Sequence, residues 1–390
     1  MKKLLLGGQA IITGSGSIAE LSKVKASRAF IVTGGSSMQT SGVISKIEGI
    51  LQENGCKTYG YGGIGKNPDT QVVLDGLAKM RECKPDLLVA VGGGSPIDAA
   101  KVMALFYEYP ELDFATAQTG ELPVSRKNLT FVAIPSTSGT GTEVTKSAVI
   151  TFRELELKIG LKTPAFIPDL AILDPDITMT MPPNVVAETG MDALTHAVEA
   201  YINRSLDDFT EVLAKGAVAG LLTWLPVSYY EKTKESREKV HHYQCIAGLA
   251  FENTGLGMAH GIAHAFGGKF DLGHGLINAI VLPSVLAYNA QDEFVGARLD
   301  ELARSIGRNG RQEFIAAVKE LNQQLGIPAG LAQAGVSHAA FEEGFEELAA
   351  NCLKGSTRVN PVPVTLEQMK VIISSVFANT PPACKSCSTL

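Results

Sequence analysis

Asp86-Leu-Leu-Val-Ala-Val-Gly-Gly-Gly-Ser-Pro-Ile-Asp-Ala-Ala-Lys101 is the stretch whose reading decides the fold. An aliphatic run without polar alternation reads as a strand buried on both faces, as strands of parallel sheets are. Three glycines follow it, then Ser95 reads as a helix N-cap with Pro96 at the first helical position. Strand, glycine turn and helix open a βαβ unit. Glycines let a backbone approach a phosphate, and a helix start presents unpaired N–H groups and the positive end of its dipole. We therefore expect Gly92, Gly93, Gly94 and Ser95 to cradle the phosphates of a dinucleotide, with Asp98 in the same segment.

Outward from that unit the pattern repeats. Ala29–Thr33 and Leu129–Ile134 read as further buried strands, and residues 41–54 and 70–84 show helical spacing of apolar side chains. Strand–helix alternation to about residue 180 predicts a doubly wound, mostly parallel, Rossmann-like α/β domain over residues 1–180. Residues 147–152 and 155–161 read as a hairpin added to that sheet, with Arg153-Glu154 near its turn. From Met181-Pro-Pro onward the strand runs stop. Residues 185–202, 209–225, 236–253 and 312–325 carry long helical patterns, which predict an all-helical domain over residues 181–390 joined by residues 174–183.

Two other glycine segments invite a nucleotide. Gly14-Ser-Gly16-Ser-Ile-Ala19 fits GxGxxA, but no acidic residue ends a second strand about 20 residues on, where the chain reads Val32-Thr33-Gly34-Gly35-Ser36. We read it as a glycine-rich turn with Ser17 capping a short helix. Ile134-Pro-Ser-Thr-Ser-Gly-Thr-Gly-Thr142 follows a strand and is dense in hydroxyls, which suits phosphate, ribose or nicotinamide contacts.

A chain of 390 residues with 45% hydrophobic and 19% charged residues fits an ordinary two-domain globular enzyme. Its net charge of −6, with no lysine or arginine block, argues against nucleic acid. Six scattered cysteines do not form a disulfide framework, so we expect reduced thiols in the cytoplasm. The Cys384-Lys-Ser-Cys387 motif reads as part of a frayed tail. The amino-terminal apolar run is too short for a secretory signal, and no stretch approaches the roughly 18 uninterrupted apolar residues of a membrane span.

Four of the seven histidines and one aspartate gather in two short segments. Asp192 and His196 lie four apart, as do His260 and His264, and His274 follows in Gly273-His274-Gly275. Residues four apart share a helix face, so each pair can point at one centre. We take Asp192, His196, His260 and His274 as metal ligands and His264 as a neighbour suited to proton relay. Three neutral imidazoles and one carboxylate leave a divalent ion with a charge of about +1, a Lewis acid able to stabilise a developing oxyanion. Four protein ligands would close a tetrahedral zinc site, and no cysteine is near, so Fe²⁺ is the first expectation and Zn²⁺ the alternative. His241-His242 and His338 lack such company and read as solvated or locally satisfied.

Met181-Pro-Pro-Asn-Val-Val-Ala-Glu-Thr-Gly-Met-Asp-Ala-Leu-Thr-His-Ala-Val-Glu-Ala-Tyr201 resembles the iron-containing (group III) alcohol dehydrogenase family, supported by Asn67-Pro-Asp69 and residues 92–98, 135–145 and 257–274. The resemblance implies hydride transfer between the nicotinamide and a primary alcohol or aldehyde, with the metal and nicotinamide in an interdomain cleft. By matching position it makes Asp192, His196, His260 and His274 the ligands, and it places His264 near the reacting carbon. Asn67, Gly94, Ser95, Ser136, Thr137, Thr140 and Lys158 would contact the cofactor. It also implies a homodimer or larger assembly.

Relatives that prefer NAD often carry an aspartate after the second strand's Val-Thr; here Gly34, Gly35 and Ser36 follow, and we expect NADP(H) over NAD(H). A glycerol- or diol-dehydrogenase-like oxidoreductase of the same superfamily, and a non-catalytic nucleotide- or metal-binding sensor, are the alternative readings.

Overall fold

The computed structural model describes residues 3–155 and 157–379. Eight strands precede the helical half: β1 (Ala10–Thr13), β2 (Arg28–Thr33), β3 (Lys57–Tyr61), β4 (Leu87–Gly92), β5 (Thr130–Pro135), β6 (Ser147–Phe152), β7 (Leu157–Lys162) and β8 (Leu170–Leu173). Six of them form one parallel sheet in the order β1-β8-β5-β4-β2-β3. Successive side chains of a strand point to opposite faces. Phe30, Val32, Leu88, Ala90, Phe131 and Ala133 accordingly enter one core with Val73, Leu77, Ile97 and Met103 of the helices Thr70–Cys83 and Gly94–Glu108. Ile31, Val89, Val91, Val132 and Ile134 enter the opposite core with Ile44, Ile47 and Leu51 of the helix Val43–Glu53. Both faces are covered, which is why the central strands read as unbroken apolar runs.

The order of strands places the ligand crevice. From β2 the chain passes outward to β3, and from β4 it passes the other way to β5. The switch of direction therefore lies between β2 and β4, and open α/β sheets bind ligands outside the carboxyl ends of such a pair.

The hairpin forms, but not as part of the main sheet. β6 pairs antiparallel with β7 from Ser147↔Lys162 to Phe152↔Leu157 as a separate two-stranded sheet. Ala148, Ile150 and Phe152 bury one face of it in the core of the Gly94–Glu108 helix, with Phe152 edge-on to Phe114. One apolar face satisfied by a helix leaves β6 no need of the sheet edge.

The turn after β1 also differs from expectation. Gly16, with φ 76°, is the cap of the Ser17–Lys23 turn, and Ser17 makes no capping bond. The Asp174 carboxylate, just past β8, accepts from the amides of Gly16 (3.1 Å) and Ile18 (3.2 Å) instead. The segment sits at an edge strand, away from the crevice.

Past Met181 the elements of the described residues are all helices, around one core that runs from Met181 to Phe377. The helix Asp208–Tyr230 is long and apolar enough by length and composition to cross a membrane. Here it contains Pro226 and packs Ala214, Ala217, Leu221 and Leu225 into that core. Cys56, Cys83, Cys245 and Cys352 are free thiols; Cys384 and Cys387 lie outside the described residues.

Candidate functional site

The crevice at the strand switch is built by backbone that side chains would block. Gly92 has φ 150°, and a Cβ there would stand 2.4 Å from Pro96 Cγ and 3.5 Å from the Gly34 amide. Gly34, Gly35 and Ser36 extend from the end of β2 on the facing side, before the short turn Ser37–Thr40. The helix begins earlier than expected: Gly93 is its cap, Gly94 its first residue, and Ser95 and Pro96 lie inside its first turn. The first N–H groups of a helix have no internal partner, so a proline there forfeits nothing.

The hydroxyl-rich loop after β5 stands over that helix start. A Cβ on Gly94 would lie 2.8 Å from Thr140 Cγ2, and one on Gly93 3.2 Å from Thr137 Oγ1. Ser136 at its start is buried. Asp98 turns away from the crevice. Its carboxylate accepts from Thr142 Oγ1 (2.5 Å) and from the Val149 amide of β6 (2.9 Å). The buried Lys101 ammonium donates to Thr142 Oγ1 and to the carbonyls of Thr145 and Ser147, and burial lowers its pKa to about 8. Asp98 and Lys101 thus tie loop, helix and hairpin together.

From below, the helix Lys234–Thr254 braces the same loop. Ser138 Oγ lies 2.9 Å from His241 Nδ1, Gln244 Oε1 accepts from the Gly141 amide (2.9 Å), and Gln244 Nε2 donates to Glu143 (2.6 Å). His241 is therefore fully buried rather than solvated, and burial pushes its pKa down to about 3. His242 and His338 lie 3.9 Å from Glu238 and Glu342.

The helix Pro183–Ile202 carries Asp192 and His196 one turn apart, both buried. The helix Met258–Phe270 brings His260 and His264, and His274 opens the helix His274–Asn289. That last helix reaches Asp192 because Gly275 has no side chain: a Cβ would stand 2.3 Å from the Glu188 carbonyl oxygen and 3.2 Å from Asp192 Cβ.

Donor atoms of Asp192, His260 and His274 lie within 4.8 Å of one another. His196 lies outside that set, its ring stacked 4.4 Å from His260 on one side and 4.4 Å from Phe251 on the other. The His264 ring stacks 5.0 Å from His274. Burial holds all four imidazoles below the usual histidine range, His264 at about 4, so at neutral pH they are the uncharged rings that ligate metals.

The donor set fits a divalent transition ion: one carboxylate with neutral imidazoles, and His260 Nε2 buried without a hydrogen-bond partner. Asn278, absent from the sequence reading, donates to Asp192 Oδ1 (2.7 Å) and lies 3.1 Å from His274 Nε2. Glu199, also absent from it, is 2.6 Å from His260 Nδ1. Asn278 lies one helical turn after His274 and Glu199 two turns after Asp192. Helix spacing carries that signal, but an amide or carboxylate alone does not announce it.

Crevice and cluster are joined. Gly139 of the β5 loop packs on the helix that carries Asp192 and His196, where a Cβ would stand 2.7 Å from Thr189 Cβ and 2.8 Å from the Thr189 carbonyl oxygen. On β7, Lys158 Nζ donates to Asn67 Oδ1 (2.9 Å), and Asn67 Nδ2 donates to Asp271 Oδ1 (2.7 Å) at the end of the His260 helix. The Lys158 charge acts on His264 and His274, and burial lowers its own pKa to about 8.

The family described as iron-containing alcohol dehydrogenase matches residues 8–175, and the Fe-containing alcohol dehydrogenase family C-terminal domain matches residues 186–377. An NADPH-dependent butanol dehydrogenase of Clostridium saccharobutylicum is 39% identical over 378 residues, 95% of this chain and 97% of its own length. An alcohol dehydrogenase of Thermococcus barophilus is 33% identical, over 94% and 97% respectively. The solved iron-containing alcohol dehydrogenase of Thermococcus thioreducens superposes with a TM-score of 0.90 at 36% identity, covering 96% of this chain and all of that one.

Proposed function

The chain belongs to the iron-containing alcohol dehydrogenase family, and we propose that within it the chain is an NADP(H)-linked dehydrogenase of primary alcohols and reductase of their aldehydes. It is an oxidoreductase, and the family's metal is iron. The reading divides the chain at about residue 180, with residues 1–180 binding the nucleotide and 181–390 the metal. Asp192, His196, His260 and His274 hold Fe²⁺ in preference to Zn²⁺. Gly34, Gly35, Ser36, Asn67, residues 92–95, Ser136, Thr137, Thr140 and Lys158 contact the dinucleotide. We also propose a cytoplasmic homodimer.

When bound, the ion supplies a Lewis acid for the substrate oxygen and the nicotinamide accepts or returns hydride. The chain's own part is to hold and orient. The first turn of the Gly94–Glu108 helix offers unpaired amides to the phosphates. His264 is neutral and has a free lone pair for proton relay, and the burial that disfavours its charged form makes it pass a proton on rather than hold it. Gly34 to Ser36 place no carboxylate against a ribose 2′-phosphate, and the NADPH-dependent relative supports that preference.

One observation carries the reading: an Asp–His–His cluster with Asp192 and His260 buried lies on a helix packed against the loop that also stands over the glycine crevice at the strand switch. The test reconstitutes the protein with Fe²⁺, adds NADPH and a panel of short aldehydes, and follows nicotinamide absorbance. Turnover is expected, and His260→Ala is expected to lose bound iron and turnover together. Stoichiometric NADPH binding with no oxidation by any aldehyde would overturn the proposal.

A further inference from the structure

Glu199 is a buried carboxylate, 1% exposed, in the middle of the helical half. It lies two helical turns after Asp192 and one after His196, so the Pro183–Ile202 helix presents all three along one face. Its Oε2 is 2.6 Å from His260 Nδ1 and accepts from the Gly257 amide at 2.9 Å, while Oε1 accepts from the Ala259 amide at 2.7 Å. Gly257 is the cap residue of the His260 helix and has no side chain to cap with. A Cβ there would stand 2.9 Å from Glu199 Oε1. A carboxylate from a neighbouring helix therefore does the capping, at the end of the helix where its dipole favours negative charge.

We propose that Glu199 is the positioning residue of the metal centre: by accepting the Nδ1 proton of His260 it fixes the ring as the tautomer whose Nε2 lone pair faces Asp192 and His274. The observation on the other nitrogen agrees. His260 Nε2 lies 3.8 Å from Asp192 Oδ1, buried and without a hydrogen-bond partner. One carboxylate thus docks the helix and aims the ligand it carries, so the ring cannot rotate without losing the partner that also holds two backbone amides.

A carboxylate behind a ligating imidazole makes that ring more basic, and losing such a partner weakens metal binding by roughly 10–100-fold.

The proposal rests on His260 being a ligand, and the experiment separates the two. Metal-free wild type, H260A, E199Q and E199D are titrated with Co²⁺, following its visible absorption, and with Zn²⁺ by competition. The expected result is one Co²⁺ per wild-type chain, little retained by H260A, and about 10–100-fold weaker binding with a shifted Co²⁺ spectrum for E199Q. The amide that E199Q introduces still accepts from His260 but turns its N–H₂ toward a backbone N–H. E199D, which restores the charge one methylene short, is expected to bind between wild type and E199Q.

Wild-type affinity and spectrum in E199Q, with metal lost in H260A, would overturn the role of Glu199 and leave the ligand set intact. Retained metal in H260A would overturn both. The unaltered protein supplies an independent readout: with ¹⁵N-labelled histidine, His260 is expected as the Nδ1–H tautomer, and an Nε2–H signal at that ring would overturn the proposal whatever the variants do.

Discussion

At the scale of single residues, function turns on which groups are charged. Lys158 is held at about 8 by burial, with Asp271 opposing the shift. Because its folded-state pKa lies below the free value of 10.5, the buried ammonium lowers stability at every pH under about 8, and that loss is relieved between about 8 and 10.5. For an anionic cofactor the sign is opposite, since the ammonium is the attractive form. NADPH affinity is expected to be flat below pH 8 and to weaken by up to about tenfold per unit above it. Lys158→Met is expected to weaken binding at pH 7 and remove the pH dependence, both read by fluorescence titration.

Gly34 answers a different question, that of cofactor choice. A Cβ there meets only Ile64 O at 3.5 Å and side-chain atoms of Pro96 from 3.7 Å, ordinary contacts, and its φ is not positive. An aspartate therefore fits, bonds the free ribose hydroxyls of NADH and repels a 2′-phosphate. Gly34→Asp is expected to shift the ratio of kcat/KM toward NADH by about tenfold or more, about 1.4 kcal/mol; an unchanged ratio would remove Gly34 from the specificity argument.

At the scale of elements, close approach of helices builds the candidate metal site. Gly275→Ala improves helix propensity by up to about 1 kcal/mol. Its Cβ would nevertheless fall 2.3 Å from the backbone oxygen of Glu188, and backbone yields less readily than a side chain. A net loss of about 1–3 kcal/mol is expected, read as a lower Tm together with weaker metal retention.

The same elements show what a sequence can reveal. Central strands β2, β4 and β5 and the helices carrying Asp192 and His260 were legible, because burial on two faces or one writes itself into apolar periodicity. The edge strand β3, reading Lys-Thr-Tyr-Gly-Tyr, was not, since half-exposed positions accept any residue. Four histidines and Asp192 stood out because imidazoles are rare, and the structure clusters Asp192, His260 and His274 while His196 stacks beside them. Glu199, Asn278 and His241 were hidden for the opposite reason. Helix spacing puts Glu199 and Asn278 on the faces of Asp192 and His274, but their importance, like that of His241, lies in a partner on another helix or loop, 61 residues away for Glu199.

At the scale of the whole molecule, an ion on the proposed ligands is expected to help hold the helical half together. At about 100 times its Kd a ligand adds about 2.7 kcal/mol to stability. For a chain of this length that is about 3 °C in Tm, and chelation is expected to lower Tm by that much at pH 7. In the metal-free protein the four imidazoles, His196 and His260 buried and His264 and His274 half-buried, are neutral near pH 7 when folded but protonate at about 6.5 once unfolded. The unfolded chain binds more protons below about 6.5, so stability is expected to fall as pH drops from there towards about 4. A Tm of the chelated protein that stays level over this range would contradict the burial of the rings.

The strand switch between β2 and β4 has one more consequence. Gly34 to Ser36, the proposed contacts of the adenosine end of the cofactor, belong to a βαβ layer that supplies none of the cluster histidines. On that assignment, exchanging one pyridine nucleotide for the other demands changes only at a strand terminus, and the histidine cluster on the other layer keeps its geometry.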